Sequence, residues 1–287
     1  MIPLDVCLES VFTGLPAEDR VKKIAQAGYE FVEFWFHDAT FDGTECSRKL
    51  PKNAASLAEV CKQCGITINN MVVNAPDGSF GGAPVKADDR GRYLERLEEV
   101  IEFAGRLGCR KAITCSGNLQ PGLSRARMRA NLEKALGQAT AIAAKKGFTL
   151  LLEPLNTHVD HPGYYLDSSA EGAELVRAIA SPNLRLLYDV YHMQIMEGNV
   201  IANLEKNMGI IGHFHSAGVP GRGELFTGEL NYPQILRRIG ALRYRGRFGL
   251  EYFPKMKDHM ASLKKVRACL QSSRALLEEA GVSCSPE

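Results

Sequence analysis

The chain has 287 residues, and its 35 lysines and arginines nearly balance 33 aspartates and glutamates, for a formal charge of +2. So small a net charge does not indicate a surface that attracts nucleic acid or an anionic membrane. No stretch reaches the roughly 18 consecutive apolar residues of a membrane-spanning helix. Met1–Ser10 carries Asp5 and Glu9 where a signal peptide needs an apolar run. We therefore expect a cytoplasmic protein that binds neither nucleic acid nor membrane.

Eight cysteines are spread along the chain and do not cluster as in a small disulfide-stapled domain, so we expect free thiols. Cys61 and Cys64 have the spacing of half a zinc site, but no second such pair or nearby histidine pair completes it. Because both lie in a predicted helix, a structural or surface role is the expected one.

In chain order, short apolar runs rich in β-branched and aromatic residues alternate with longer segments of period 3.6 residues. The short runs predict strands at Asp5–Glu9, Phe31–Phe36, Thr67–Val73, Lys111–Ser116, Thr149–Leu155, Leu184–His192, Ile210–Ala217 and Arg247–Phe253. The longer segments predict helices at Pro16–Ala27, Ser56–Cys64, Asp89–Leu107, Arg125–Lys146, Ser169–Ile179, Ile201–Met208, Tyr232–Ala241 and His259–Ala280.

Glycines lie at four of the predicted junctions between a helix and the next strand. Gly28, Gly65, Gly108 and Gly147 each follow a predicted helix and precede a predicted strand, where a left-handed helix cap favours glycine. Eight strand–helix units in unbroken alternation predict an α/β fold, a (β/α)8 TIM barrel. A doubly wound open sheet is the alternative, but no GxGxxG motif opens the first helix. No linker divides the chain, so we expect residues 1–287 to form a single domain.

The most irregular segments each lie between a predicted strand and the next helix, on the face where a TIM barrel builds its active site. They are His37–Asn53, Asn74–Asp88, Asn156–Asp167 and Gly218–Asn231. The Gly-rich part at Asn74–Ala83 lacks the lysine of a phosphate-binding loop, and we interpret it as a mobile lid.

Ionisable residues end the last four predicted strands, where the barrel interior is otherwise apolar. They are Glu153, Asp189, His215 and Glu251, separated by 36, 26 and 36 residues, which approximates one strand–helix unit each. Barrel closure brings these positions together on one rim. For any one of them, a paired core carboxylate or a hydrogen-bonded histidine is an alternative interpretation.

Three carboxylates and an imidazole that converge in a partly dry pocket repel one another unless a cation lies among them. A divalent metal ion removes this conflict. Because oxygen ligands dominate and one nitrogen joins them, the set suits Mn²⁺, Mg²⁺ or Co²⁺ better than a thiolate-preferring zinc site.

Several motifs resemble the hydroxypyruvate isomerase family, within the xylose isomerase-like TIM barrel superfamily. They are AGYEFVEF at 27–34, VEFWF at 32–36, EPLN at 153–156, YDVYHMQ at 188–194, IGHFH at 211–215, GELNYP at 228–233 and GLEY at 249–252. The resemblance spans almost the whole chain. It implies a metal held by Glu153, Asp189, His215 and Glu251, with the two glutamates as the catalytic acid–base pair.

The resemblance also implies an isomerase of a small hydroxy-carbonyl compound, most like hydroxypyruvate and tartronate semialdehyde. At the position of His215 some hydroxypyruvate isomerases carry glutamine, whereas the related ketose 3-epimerases carry histidine. A ketose 3-epimerase or a 2-oxo-tetronate isomerase with the same metal site therefore stays open. More distant alternatives are a DNA-repair nuclease of the same superfamily and a non-catalytic sugar-binding barrel, and a homo-oligomer is compatible with the sequence.

Further candidates surround the four residues. We expect His192, Arg222, Trp35 and Asn74 to contact substrate, although a capping histidine, an exposed arginine, a packed tryptophan and a turn-forming asparagine are the alternatives. His213 points to the same side as His215 but one layer deeper, so we expect a packed residue and not a fifth ligand. Asn70 is a weaker candidate for substrate contact, Glu33 shares a face with Trp35, and Glu224 is placed to orient Arg222.

Overall fold

The computed structural model describes residues 2–272. Eight parallel strands close into one barrel in sequential order, each paired with its neighbours and β8 paired with β1. The strands are β1 Leu4–Cys7, β2 Phe31–Phe34, β3 Thr67–Val72, β4 Lys111–Thr114, β5 Thr149–Leu152, β6 Leu184–Asp189, β7 Ile211–His215 and β8 Phe248–Leu250. This closure confirms the single-domain TIM barrel and rules out the open sheet.

Helices surround the barrel and follow the strands in alternation. They are α1 Ala17–Gln26, α2 Ala54–Cys64, α3 Arg90–Arg106, α4 Arg125–Lys145, α5 Ser169–Ile179, α6 Val190–Met196, α7 Val200–Asn207, α8 Tyr232–Ala241 and α9 His259–Ser272. The predicted continuation of the last helix to Ala280 and the end of the predicted domain lie outside the described residues. Within residues 2–272, no helix is long and apolar enough to cross a membrane.

Side-chain oxygens fix where several helices begin. Asn53 accepts hydrogen bonds from the backbone of Ala55 and Ser56 at the start of α2, and Ser168 does the same for α5. The four glycines that we predicted as helix ends all have positive φ angles. Cys61 and Cys64 lie in α2, and neither forms a disulfide.

The strands end earlier than the apolar pattern predicted. β1 stops at Cys7 and continues as the 3₁₀ turn Leu8–Ser10, and β6 stops at Asp189, where α6 begins at once. The predicted strand to His192 was wrong because the Asp189 side chain accepts hydrogen bonds from the backbone N–H groups of Tyr191 and His192, as a helix cap does. A small hairpin, Thr40–Phe41 with Cys46–Ser47, was also unpredicted.

Two apolar clusters fill the fold. The large one joins the strands to the helices that surround them, with Leu97, Phe148 and Leu186 fully buried. The small one, which includes Phe36, Val72 and Leu151, lies among residues of β3 to β6 and the loop after β2. Phe36 and Val72 of the small cluster also line the cavity described below.

Candidate active site and metal centre

The four residues that end β5 to β8 meet at one rim of the barrel. Asp189 and His215 are the last residues of β6 and β7 and are register partners. Glu153 and Glu251 follow β5 and β8 directly, and their backbone N–H groups still donate to Thr114 and Ser216 on the neighbouring chain segments. One ligand atom from each of the four lies within 4.8 Å of the others, and all four residues are buried.

The imidazole of His215 lies at the centre of this group. Its Nδ1 atom is 3.3 Å from Glu153 Oε1 and 3.6 Å from Glu251 Oε2. Neither Glu153 Oε1 nor His215 Nδ1 has a hydrogen-bond partner of good geometry within the described chain. Buried polar atoms without partners are costly, and these two are among several such atoms in the barrel, which also include His215 Nε2 and Glu33 Oε1.

Burial and mutual repulsion shape the charge states. Burial raises the pKa of Asp189 to about 7, and burial also raises the pKa of Glu153. Burial alone would lower the pKa of His215, but the carboxylates around it, Glu33 and Glu251 first, raise that pKa well above its ordinary value. Buried acids that resist ionisation fit a site whose charge a cation completes.

Asp189 has two separate roles within one carboxylate. Its Oδ1 atom caps α6, which fixes the side chain, while its Oδ2 atom is 3.5 Å from His192 Nε2. The other ring nitrogen of His192 accepts from the backbone N–H of Asn156 at 3.2 Å. His192 Nε2 has no hydrogen-bond partner in the described chain, and burial holds the pKa of this histidine well below its usual value, so it is neutral.

Donors hold the carboxylate of Glu251 on both sides. The indole Nε1 of Trp35 donates to Oε1 at 2.7 Å, and Arg222 Nη2 donates to Oε2 at 2.5 Å. Arg222 adopts a left-handed backbone (φ 54°) that is strained for a non-glycine residue, and its guanidinium lies over the rings of Tyr191 and Phe253. Trp35 and Arg222, which we predicted to contact substrate, therefore both donate hydrogen bonds to Glu251, a predicted metal ligand.

A buried ion pair between Lys52 and Glu9 holds the backbone of Trp35 in place. Lys52 Nζ is 2.6 Å from Glu9 Oε1 and donates to the backbone oxygens of Phe36 and Ala39. The second oxygen of Glu9 accepts from the backbone N–H of Trp35 at 2.9 Å. The pair fixes the start of the loop after β2, and sequence reasoning missed it because Glu9 and Lys52 are far apart in the chain.

A cavity of about 470 Å³ opens onto this centre. Its lining includes Trp35, Glu153, His192, Arg222 and Glu251, together with an apolar part where the rings of Phe36 and Phe80 stack 4.6 Å apart. Phe80 belongs to the segment that we predicted as a lid. Sequence reasoning missed Asp160 and His161, which also line the cavity; their position in the loop after β5 was the available signal.

The structure gives Asn74 a different role from the one we expected. Its side-chain oxygen accepts from Thr114 and from the backbone N–H of Cys115, and its amide donates to the backbone oxygens of Gly82 and Cys115. All of its hydrogen-bonding groups are used, and it does not line the cavity. Asn74 therefore ties the predicted lid to β4, and the substrate contact expected of it has no support.

Glu224 does not orient Arg222 as expected. Its Oε1 atom accepts from the backbone N–H groups of Lys255 and Met256 and from the hydroxyl of Ser262. It thus braces the loop between β8 and α9. Because it is a buried carboxylate outside the predicted ligand set, it offers a matched control for the site.

Below the rim, Glu33, Asn70 and His213 form a second buried polar group. The side chain of Asn70 donates to Glu33 Oε2 at 2.6 Å, and His213 Nε2 lies 2.8 Å from the same oxygen. His213 is one layer deeper than His215 and is not part of the four-residue set. Sequence reasoning noted each of these residues separately but did not bring them together.

The family model of xylose isomerase-like TIM barrels matches residues 21–269. The chain is 38% identical to the 2-oxo-tetronate isomerase of Cupriavidus necator, over 83% of this chain and 87% of that one, and 30% identical to the hydroxypyruvate isomerase of Escherichia coli, over 82% and 87%. The crystal structure of AP endonuclease, family 2 from Brucella melitensis is 30% identical with a TM-score of 0.81, and the match covers 92% of this chain and 97% of that one.

The chain also has the fold of an L-ribulose 3-epimerase structure, with a TM-score of 0.78, 22% identity and coverage of 100% of each chain. The family model and the curated relatives together cover most of the sequence. The chain therefore belongs to the xylose isomerase-like TIM barrel family, among relatives named hydroxypyruvate and 2-oxo-tetronate isomerases, and it is an isomerase.

Proposed function

We propose that this protein is a metal-dependent isomerase that interconverts a small hydroxy-ketone and the corresponding hydroxy-aldehyde, most like hydroxypyruvate and tartronate semialdehyde. The observation that carries the proposal is the convergence of Glu153 and Glu251, which both line one cavity, with Asp189 and His215. Two carboxylates that face one small cavity are the groups required to move a proton between adjacent carbons.

Glu153, Asp189, His215 and Glu251 would hold the metal ion. Their donor set of three carboxylates and one imidazole fits Mn²⁺, Mg²⁺ or Co²⁺, and the partnerless Glu153 Oε1 and His215 Nδ1 mark where it fits. A bound divalent cation supplies stabilisation of the negative charge that develops on the two substrate oxygens during enolisation.

The reaction itself needs one carboxylate as base and one as acid. One glutamate removes a proton from the hydroxymethyl carbon of hydroxypyruvate, and the electron pair of the broken C–H bond forms the enediolate double bond. The other glutamate delivers a proton to the former carbonyl carbon, while a proton moves between the two oxygens, so the product is the isomeric aldehyde. No external reductant or oxidant is needed.

The residues around the two glutamates orient the groups that would take part in this proton transfer. Trp35 and Arg222 hold Glu251 in one orientation, whereas no hydrogen bond from the described chain holds Glu153 Oε1, which would bind the metal ion. Because Nδ1 of the neutral His192 accepts from the backbone N–H of Asn156, its unpartnered Nε2 carries the ring proton and can donate to a substrate oxygen. Holding reacting groups in place lowers the entropic part of the barrier.

A ketose 3-epimerase or 2-oxo-tetronate isomerase is the second candidate. A cavity of about 470 Å³ lies within the 300–1,000 Å³ that encloses drug-sized ligands, so it has room for substrates longer than three carbons. The relative from Cupriavidus necator supports a four-carbon acid. The same pair of glutamates would serve, with the proton returned to the opposite face of one carbon in the epimerase.

The nuclease alternative has less support. Among the described residues that line the cavity, Arg222 is the one permanently cationic side chain, and it is paired with Glu251, whereas Asp77, Glu153, Asp160 and Glu251 are acidic. A nucleic-acid site needs unpaired lysines and arginines along the phosphate backbone.

The test is a substrate comparison with protein stripped by a chelator and reloaded with Mn²⁺. We expect hydroxypyruvate and tartronate semialdehyde to interconvert faster than fructose or tagatose is epimerised, with products followed by NMR after the metal is removed. Turnover of six-carbon ketoses alone would replace the hydroxypyruvate assignment with the epimerase. No turnover of any of these compounds by the loaded protein would contradict the proposed reaction.

A further inference from the structure

One carboxylate inside the barrel is shared by two histidines. Glu33 Oε1 lies 3.0 Å from His215 Nε2, and Glu33 Oε2 lies 2.8 Å from His213 Nε2. Asn70 also donates to Oε2 at 2.6 Å. Glu33, His213 and His215 are each at most 2% exposed, so these contacts are screened from water.

The barrel is built to leave room for this contact. Gly249 of β8 faces the cluster, and a Cβ atom at that position would lie 2.6 Å from Glu33 Oε1, 2.6 Å from His215 Cδ2 and 3.0 Å from His213 Nε2. Real Cβ contacts are longer than this, so any other residue at 249 would push the carboxylate and the imidazole apart. The φ angle of Gly249 is not positive, so space and not backbone freedom is the reason for glycine here.

We propose that Glu33 is a positioning residue that fixes the ring orientation and tautomer of His215, so that Nδ1 presents its lone pair to the metal centre. The inference rests on the metal site of the proposed function. Glu33 Oε1 and His215 Nε2 lie within ion-pair distance without the geometry of a full hydrogen bond, and neither atom has another hydrogen-bond partner in the described chain. Because an ionised carboxylate only accepts hydrogen bonds, we place the ring proton on Nε2, the nitrogen that faces Glu33. The other nitrogen, Nδ1, is the atom that faces Glu153 and Glu251.

A carboxylate on the far nitrogen of a metal-binding histidine is a general way to orient the ring and strengthen the ligand, and losing it typically costs 10–100-fold in metal affinity. In Glu33→Gln the side chain keeps its size but loses its charge, and its amide group can present either a donor or an acceptor to His215. We therefore expect the affinity for Mn²⁺ to fall about 10–100-fold. Glu224→Gln, which changes an equally buried carboxylate outside the centre, should bind Mn²⁺ with wild-type affinity.

Two measurements that do not depend on catalysis test the proposal. Calorimetric titration with Mn²⁺ gives the affinity and stoichiometry of the wild type, Glu33→Gln and Glu224→Gln. NMR of ¹⁵N-histidine-labelled wild-type protein saturated with Mg²⁺ gives the position of the His215 ring proton, with the signal assigned by its loss in His215→Gln. The NMR measurement is made on the wild type, so it stands even if Glu33→Gln fails to fold.

The expected results are one Mn²⁺ per wild-type chain, weaker binding in Glu33→Gln and a solvent-protected proton on Nε2 of His215. A proton on Nδ1, or wild-type affinity in Glu33→Gln, would overturn the proposal. Two ions per wild-type chain would also overturn it, because Glu33, His213 and His215 would then form a second metal site. No binding to wild type at all would instead contradict the proposed metal-dependent function.

Discussion

The two halves of the barrel contribute differently to the same site. Asp189 and His215 end β6 and β7, and Glu153 and Glu251 directly follow β5 and β8; the ligand atoms of these four residues converge. Strands β1 to β4 contribute none of these four. They and the loop after β2 instead supply groups that hold the four in place, such as Glu33 against His215 and Trp35 against Glu251.

This difference indicates a division of labour between chemistry and orientation. In the proposed mechanism the second half carries the charges that bind and react, and the first half, together with Arg222 of the second half, carries hydrogen-bond donors and acceptors that orient them. Substitution of the glutamates among the four converging residues should therefore remove activity, whereas changes in the first half should alter stability or rate and leave the reaction intact.

The largest effect is expected in the second half, at the two glutamates. Glu153→Gln and Glu251→Gln should each lower kcat by about 10²–10⁴-fold, because removing a general acid or base costs that much. Exchange of substrate hydrogen with deuterium from the solvent should survive in one variant only, which would identify the base. Glu224→Gln is the control, and near wild-type turnover in both site variants would end the two-glutamate mechanism.

In the first half, breaking the Lys52–Glu9 pair should cost stability. Lys52→Met leaves the buried carboxylate of Glu9 without its cation, and breaking a buried pair on one side typically costs about 3–5 kcal/mol. We expect a loss of that order in the free energy of unfolding, measured with urea. The exposed Lys22→Met, which breaks a surface pair with Asp19, is the control, and equal losses in both variants would refute the role given to the buried pair.

In the metal-free protein, Asp189 should make stability depend on pH. Its pKa is raised from 3.8 to about 7 by burial, so the folded state binds its proton more tightly than the unfolded state does between these values. The free energy of unfolding of the wild type, compared with that of Asp189→Asn, should therefore fall as pH rises from about 4 to about 7. The expected fall is on the order of 2–4 kcal/mol.

Asparagine keeps the oxygen that caps α6, so the helix start should survive the substitution. Denaturant unfolding in the presence of a chelator, at pH 4, 5.5 and 7, measures the difference between the two proteins. Saturating Mn²⁺ should remove this pH-dependent loss of stability in the wild type, since a bound cation favours the ionised carboxylate of Asp189. A difference that is constant with pH would show that Asp189 is not the buried, proton-binding group described here.

The smallest effect is expected at the contact between the halves, the hydrogen bond from Trp35 to Glu251. Trp35→Phe keeps an aromatic wall but removes the indole donor, and we expect kcat to fall about 10-fold, since a hydrogen bond to a charged group contributes about 1.5–3 kcal/mol and part of that holds Glu251 in place. KM should change less than kcat. A change in KM alone would instead make Trp35 a wall of the substrate site.

The difference between the halves also explains what the sequence could and could not predict. The alternation of strands and helices and the ionisable residues that end β5 to β8 are local signals, and both predicted the barrel and the converging set. Glu33 with His215, and Glu9 with Lys52, meet only after the chain folds, so no local pattern marks them. The end of β6 was misjudged because one side chain, Asp189, both ends the strand and begins α6.

Asn74 shows the converse difficulty. A polar residue beyond a strand end is equally compatible with binding a substrate and with binding the backbone. Only the partners of its amide, Thr114, Cys115 and Gly82, distinguish the two roles.

The central claim is that the four converging residues form a metal-dependent centre for proton transfer. Its most direct test is the incorporation of deuterium from D₂O into the hydroxymethyl carbon of hydroxypyruvate, measured by mass spectrometry for chelator-stripped and Mn²⁺-loaded protein against a protein-free blank. The account predicts incorporation well above the blank with the loaded protein and none above it with the stripped protein. Equal incorporation by both, or none by the loaded protein, would contradict it.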